Sequence, residues 1–125
     1  MEQQCNDYRV IIAGGRNFKD YLLLREKCDF HLGNKMKNCR IIVLSGAAKG
    51  ADTMGEQYAS ERGFMLEKHP ANWRIHGKSA GIVRNMEMAE KADALIAFWD
   101  GISPGTKNMI ETARKHGLRV MVVNY

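Results

Sequence analysis

The feature that most constrains this chain is a regular alternation of short, almost wholly apolar runs with longer stretches of helical period. Tyr8–Ala13 (YRVIIA), Arg40–Leu44 (RIIVL), Asp93–Trp99 (DALIAFW) and Arg119–Asn124 (RVMVVN) are rich in β-branched residues. They show little in–out alternation of polarity, as strands do when helices cover both faces of a parallel sheet. Phe64–Lys68 reads as a weaker strand. Between the runs, Asp20–Leu32 places Leu24, Cys28 and Leu32 at helical spacing, with Gly33-Asn34 as the expected stop. Ala51–Arg62 puts Ala51, Met54, Gly55, Tyr58 and Ala59 on one face and is closed by Gly63. Two further helices are expected from Ser79 to about Lys91 and over Thr106–His116, and His69–Lys78 (HPANWRIHGK) reads as a long loop. Right-handed crossovers then make a doubly wound α/β fold the economical solution. The expectation is a single domain over residues 1–125, built on a five-stranded, mostly parallel sheet of order 3-2-1-4-5 with helices on both faces.

Composition narrows the function classes. Hydrophobic residues make up 45% and charged residues 26% of the 125, an ordinary globular balance. No apolar run approaches the ~20 residues of a membrane helix. The start, Met1 to Asp7, carries acids and amides where a signal peptide has a basic and then an apolar stretch, so a cytoplasmic location is expected. Cys5, Cys28 and Cys39 have neither metal-ligand nor redox spacing, and Cys28 falls on the apolar side of its helix. The net charge of +5 comes from scattered basic residues, which suits an anionic ligand as well as a nucleic acid.

In open parallel sheets, ligands bind beyond the carboxyl ends of the strands, where strand order reverses. Here that point lies between strands 1 and 4. Strand 1 is followed by Gly14-Gly15-Arg16-Asn17-Phe18, and strand 4 by Asp100-Gly-Ile-Ser-Pro-Gly-Thr106. Neighbouring strand 2 is followed by Ser45-Gly-Ala-Ala-Lys-Gly-Ala-Asp52. The latter two loops run into helices, whose unpaired N-terminal amides receive phosphate readily. Ser45, Lys49, Ser103 and Thr106 add hydroxyl or ammonium donors, and Arg16 and Arg84 add guanidinium groups. Trp73 reads either as a stacking platform for a base or as a buried loop anchor. Asp52, Asp100 and Glu111 are the acid–base candidates, and Asp52 also suits a helix start through the helix dipole. Gly77-Lys78-Ser79 ends like a P-loop, but Asn72 stands where its first glycine belongs, and no Gly-x-Gly-x-x-Gly follows strand 1. His69 and His76 flank the long loop without forming a metal-ligand pattern.

Taken in order, Gly14-Gly15-Arg16-Asn17-Phe18, Ser45–Asp52, Ala71–Gly81 running on to Arg84-Asn85, and Gly105-Thr106-Lys-Asn-Met109 resemble the YspA-like branch of the SLOG superfamily over nearly the whole chain. That resemblance implies a Rossmann-like fold. It also implies kinship with LONELY GUY-type phosphoribohydrolases, which release a base from a nucleoside monophosphate, and with the DNA-processing DprA proteins. In the phosphoribohydrolases a Pro-Gly-Gly-x-Gly-Thr-x-x-Glu signature binds phosphate and supplies a catalytic glutamate. Ser103-Pro104-Gly105-Thr106 resembles a shortened form. Met109 stands in the glutamate's place, and Glu111 lies two residues on, about 200° around the helix. Arg84 resembles the arginine that this enzyme class places near the sugar.

The expected function is binding of a nucleotide or nucleotide-derived phosphorylated small molecule, as a sensor or processing module. Its site is drawn from Gly14, Gly15, Arg16, Ser45, Gly46, Lys49, Trp73, Asn85, Gly105 and Thr106. The alternative is a nucleotide N-glycosidase using Arg84, Asp100 and Glu111. A DprA-type nucleic-acid binder ranks below both. No cofactor is expected, a divalent metal accompanying the ligand stays open, and the superfamily resemblance makes a homodimer a further expectation.

Overall fold

The computed structural model describes residues 6–125. The amide- and acid-rich start, with Cys5, lies outside the described residues. Five strands, β1 (Asp7–Gly14), β2 (Arg40–Ser45), β3 (Met65–Lys68), β4 (Ala94–Trp99) and β5 (Arg119–Asn124), form one sheet of order β3-β2-β1-β4-β5. Every pairing is parallel, with Val10 opposite both Val43 and Ala94 at the centre. The doubly wound Rossmann-like architecture expected from the apolar runs is the one observed.

Successive side chains of a strand point to opposite faces, so the apolar runs build two cores. Val10 and Ile12 of β1 and Ile96 and Phe98 of β4 pack against Leu24, Cys28 and Leu32 of α1 (Tyr21–Asn38) and Tyr58 of α2 (Ala51–Arg62). Ile11, Ala13, Leu95 and Ala97 face the other way. They meet Met88 of α4 (Ala80–Lys91) and Met109 and Ile110 of α5 (Pro104–Lys115). Cys28 is fully buried, as its helical position implies.

Three boundaries differ from the sequence reading, each for a local reason. α1 runs through Gly33 to Asn38 instead of stopping there. Met36 continues the Leu24–Cys28–Leu32 stripe and packs on the core, which offsets the cost of about 1 kcal/mol for glycine inside a helix. α5 begins at Pro104, two residues before the expected Thr106, because proline suits the first helical position, where no N–H is needed. The long loop contains a helical turn, α3 (Trp73–His76), followed by a 3₁₀ turn over Gly77–Ser79. The Asn72 side chain caps that turn by accepting from the Ile75 amide at 3.2 Å, a signal too local to show as periodicity.

Two contacts shape the loops at the carboxyl edge. Phe18 is buried against Phe98 and Tyr125, with ring centroids 5.0 and 4.8 Å away, so the loop after β1 is pinned and Arg16 and Asn17 stand out from it. Gly50, at φ +80°, lets the start of α2 lie directly on the backbone of Gly15 and Arg16, where any Cβ would collide. The Ala51 amide donates to the Gly15 carbonyl at 3.2 Å across this approach. Replacing Gly50 by alanine combines a left-handed φ with that collision, so Gly50→Ala should cost about 2 kcal/mol or more in urea unfolding. A loss below 0.5 kcal/mol would mean that the two loops can separate freely.

Candidate ligand-binding site

At the carboxyl edge, the loop after β1 leads to α1 on one face of the sheet and the loop after β4 leads to α5 on the other. The cleft between them holds a cavity of about 460 Å³. Gly14, Gly15, Arg16 and Asn17 form one wall, and Ser103, Pro104, Gly105 and Thr106 the facing wall. Ala48 and Asp52 come from the β2–α2 side, and Arg84, Asn85 and Met88 from α4.

Neither of the two glycine-rich loops that run into helices provides a side-chain cap. The first amide of α2 is taken by the Gly15 carbonyl. At the start of α5 the Ser103 hydroxyl does not cap. It donates instead to Asp100 Oδ2 at 2.8 Å. The first backbone bond here is made by the Lys107 amide to the Ser103 carbonyl, leaving the Gly105 and Thr106 amides ahead of it. The positive end of α5 thus opens into the cavity.

Arg84 crosses the cleft. Its Nη1 donates to the Gly46 carbonyl at 2.7 Å and its Nε to Asn85 Oδ1 at 2.9 Å. Asn85 is buried and donates in turn to Asn108 Oδ1 of α5 at 2.9 Å. One polar chain therefore ties the β2–α2 loop to α4 and α5. A Cβ at Gly46 would overlap the Arg84 guanidinium and crowd Asp52 Oδ2, so a side chain there would displace both groups from their present positions. Burial works against the charge on Arg84, as does Arg16, while the nearby Asp52 supports it.

Asp52 is 5% exposed and accepts from the Ala48 amide at 3.3 Å. Burial pushes its pKa up to about 6, against the opposing pull of the Ala48 amide and Arg84. A buried carboxylate with a raised pKa beside a guanidinium, in a cleft, makes Asp52 a functional-site candidate.

The other carboxylates of the sequence reading lie elsewhere. Asp100 accepts from the Ile102 and Ser103 amides at 2.9 and 2.7 Å and holds the β4–α5 loop; the Ser103 and Ile102 bonds keep its pKa low. Glu111 is exposed on α5, and neither residue lines the cavity. Ser45 is fully buried and donates to Glu56 Oε2 at 2.8 Å, beneath the site instead of in it. Gly14, Gly15, Arg16, Arg84, Asn85, Gly105 and Thr106 line the cavity together, whereas Gly46, Lys49 and Trp73 line an adjoining one. Among the described residues no group of three or more His, Cys, Asp or Glu side chains has a metal-holding arrangement, and no helix is long and apolar enough to cross a membrane.

A parallel doubly wound sheet with a polar cleft at its switch point defines a Rossmann-like protein of the kind that binds small molecules there. The chain belongs to the YspA, cpYpsA-related SLOG family, whose model matches residues 8–76. Membership points to a nucleotide-related ligand. The chain is 35% identical over 119 residues to the Gene 61 protein of Mycobacterium phage D29, covering 90% of this chain and 94% of that relative. The X-ray structure of TM1055, a structural genomics target, shares the fold with a TM-score of 0.61 at 19% identity, over 94% of this chain and 72% of that one.

The Asp52 proton makes stability depend on pH. The folded state holds it about two pH units longer than an unfolded chain, whose aspartate titrates near 3.8. The native state therefore binds more protons between pH 4 and 6, and stability falls as pH rises through that window. Relative to Asp52→Asn, wild type should lose about 2 kcal/mol between pH 4 and 7, most of it between pH 4 and 6 at about 1.4 kcal/mol per unit or less. Urea unfolding of both proteins at each pH reads this; a difference that does not change with pH would show an unshifted carboxyl.

Proposed function

We propose that this protein binds a nucleotide or nucleotide-derived phosphorylated small molecule in the switch-point cleft, acting as a sensor or processing module. The observation that carries the reading is the start of α5, without a side-chain cap, lining the same cavity as Arg84. Phosphate meets the Gly105 and Thr106 amides and the Thr106 hydroxyl, with the helix dipole adding favourable charge. Gly14 and Gly15 form the opposite wall, where a Cβ would strike Phe98 and Ala51 at the first and Tyr125 at the second, so their backbone lies close against β4 and the last residue. Arg84, already oriented by Gly46 and Asn85, loses little freedom when it engages the anion.

A second reading is favoured by Asp52. A carboxylate with a pKa of about 6 at the cavity wall suits a general base near neutral pH. In a nucleotide N-glycosidase, Asp52 takes a proton from the water that attacks the ribose C1′. The C1′–N bond breaks with its electron pair leaving on the base, which is protonated by solvent. Arg84 holds the ribose phosphate during this step. This moves the catalytic carboxylate from Asp100 or Glu111, the sequence-level candidates, to Asp52.

A thermal-shift series of nucleoside mono-, di- and triphosphates, cyclic dinucleotides, ADP-ribose and NAD, followed by chromatography of the incubated hits, tests both readings. At least one member should raise the melting temperature. Its affinity should fall tenfold or more in Arg84→Ala, and by a smaller factor in the near-isosteric Thr106→Val, as expected for lost charge-assisted and neutral hydrogen bonds. A ligand recovered intact supports the sensor. Released base, abolished in Asp52→Asn, supports the hydrolase. The nucleotide reading fails if no member stabilises the protein.

A further inference from the structure

A separate cavity of about 570 Å³ lies at the amino edge of the sheet, opposite the cleft. β1 and β2 are parallel, so α1, which joins them, runs back and brings its last turns to the edge where the strands begin. Arg119 is the first residue of β5 and pairs with Ala94, which belongs to the core on the α1 side. Phe30, His31, Asn34 and Lys35 of α1 therefore meet Arg119 around one space.

No carboxylate lines this space, whereas Lys35, Arg119 and His31 do. Lys35 is accounted for in part by its place in the last turn of α1, where a cation offsets the helix dipole. Arg119 lies on a strand and forms no ion pair among the described residues. Asp93, whose carbonyl accepts from the Arg119 amide, gives its carboxylate to the Arg9 amide at 2.9 Å. The cations act on the same neighbours. Lys35 Nζ stands 5.1 Å from the centre of the Tyr8 ring; burial pushes the Tyr8 pKa up, and Arg119 opposes it. Burial lowers the pKa of His31, and Arg119 and then Lys27 lower it further. Converging cations without an acid of their own are unfavourable until an anion joins them.

Phe30 supplies a different kind of contact. It is 79% exposed, although phenylalanine is usually well buried, and it lines the same cavity. Its ring meets that of His31 edge to face, with centroids 5.2 Å apart. An open aromatic pair beside cations is a surface on which another ring can rest.

We propose that this cavity is a second ligand site, for a small anion that carries a ring, with its acid group between Lys35 and Arg119 and its ring against Phe30 and His31. The site lies at the opposite edge of the sheet from the cleft, and the inference does not rest on the nucleotide reading.

Histidine NMR tests it, because His31 lines this cavity and His69, His76 and His116 do not. Inorganic phosphate and phenyl phosphate are titrated into the protein, the His31 resonance being identified by its loss in His31→Gln. Both probes should shift that resonance, phenyl phosphate with a Kd about fivefold lower, the scale of one aromatic contact. Either bound anion should raise the His31 pKa, since it offsets Arg119 and Lys27. Arg119→Gln and Phe30→Ala change exposed side chains. The first should weaken both probes about tenfold, as expected for a lost charge-assisted contact. The second should bring phenyl phosphate to the affinity of phosphate and leave phosphate unchanged. Arg84→Ala, in the cleft, should alter neither titration. A His31 resonance that responds to neither probe, or affinities that survive Arg119→Gln, would exclude an anion site here. Equal affinities for the two probes, or a ring preference that persists in Phe30→Ala, would overturn the ring-bearing ligand. A His31 response that disappears in Arg84→Ala would mean that it reports binding in the cleft, and the second site would fall.

Discussion

β1 is the central strand, with β2 on one side and β4 on the other. The chain leaves β1 towards α1 on one face of the sheet and leaves β4 towards α5 on the opposite face. Adjacent loops that turn to opposite faces cannot pack on each other, and the cleft is the space this leaves. The loops that bound it are held from below. Phe18 fastens the first to Phe98 and Tyr125, and Asp100 folds the second onto its own amides. The position of Arg16 and the openness of the α5 end are thus consequences of the strand order and two local anchors.

Arg84 and Asp52 put opposite charges into this cleft without closing into an ion pair; both approach the space over Gly46. Each is held mainly by neutral groups. The Gly46 carbonyl and Asn85 amide oxygen orient the guanidinium, and the Ala48 amide meets the carboxylate. Two charges fastened tightly to each other would have little left for a ligand. Charges oriented by neutral dipoles keep part of their field directed at the cavity, which is the preorganisation that binding and catalysis both use. The cost is borne in stability, most visibly by Asp52 above pH 6.

Much of the fold was legible because its signals are periodic. Strands buried on both faces read as unbroken apolar runs, and the helices on either side read at helical spacing, so the sheet order followed from topology rules. The boundaries that were misread are places where a nonlocal or very short-range effect won: Met36 carrying α1 past Gly33, Pro104 starting α5 early, and the Asn72 cap making a turn within the long loop. Of the residues drawn from the glycine-rich loops, Gly14, Gly15, Arg16, Gly105 and Thr106 converge on one cavity.

Which carboxylate enters that cavity was not legible. Asp52, Asp100 and Glu111 are alike in one dimension, and the separation among them arises from burial. Asp52 is enclosed under Ala48 beside Arg84, Asp100 is consumed by its own loop, and Glu111 faces outward. Ser45 shows the same limit, since its place beside a glycine loop does not reveal that its hydroxyl is spent on Glu56. The sequence by itself determined the parallel layers, the reversal of strand order and hence the edge where a ligand can enter, because these depend on patterns of apolarity along the chain. Only the tertiary structure decided which polar groups face the cleft, because that depends on which hydrogen bonds are already made when the loops meet.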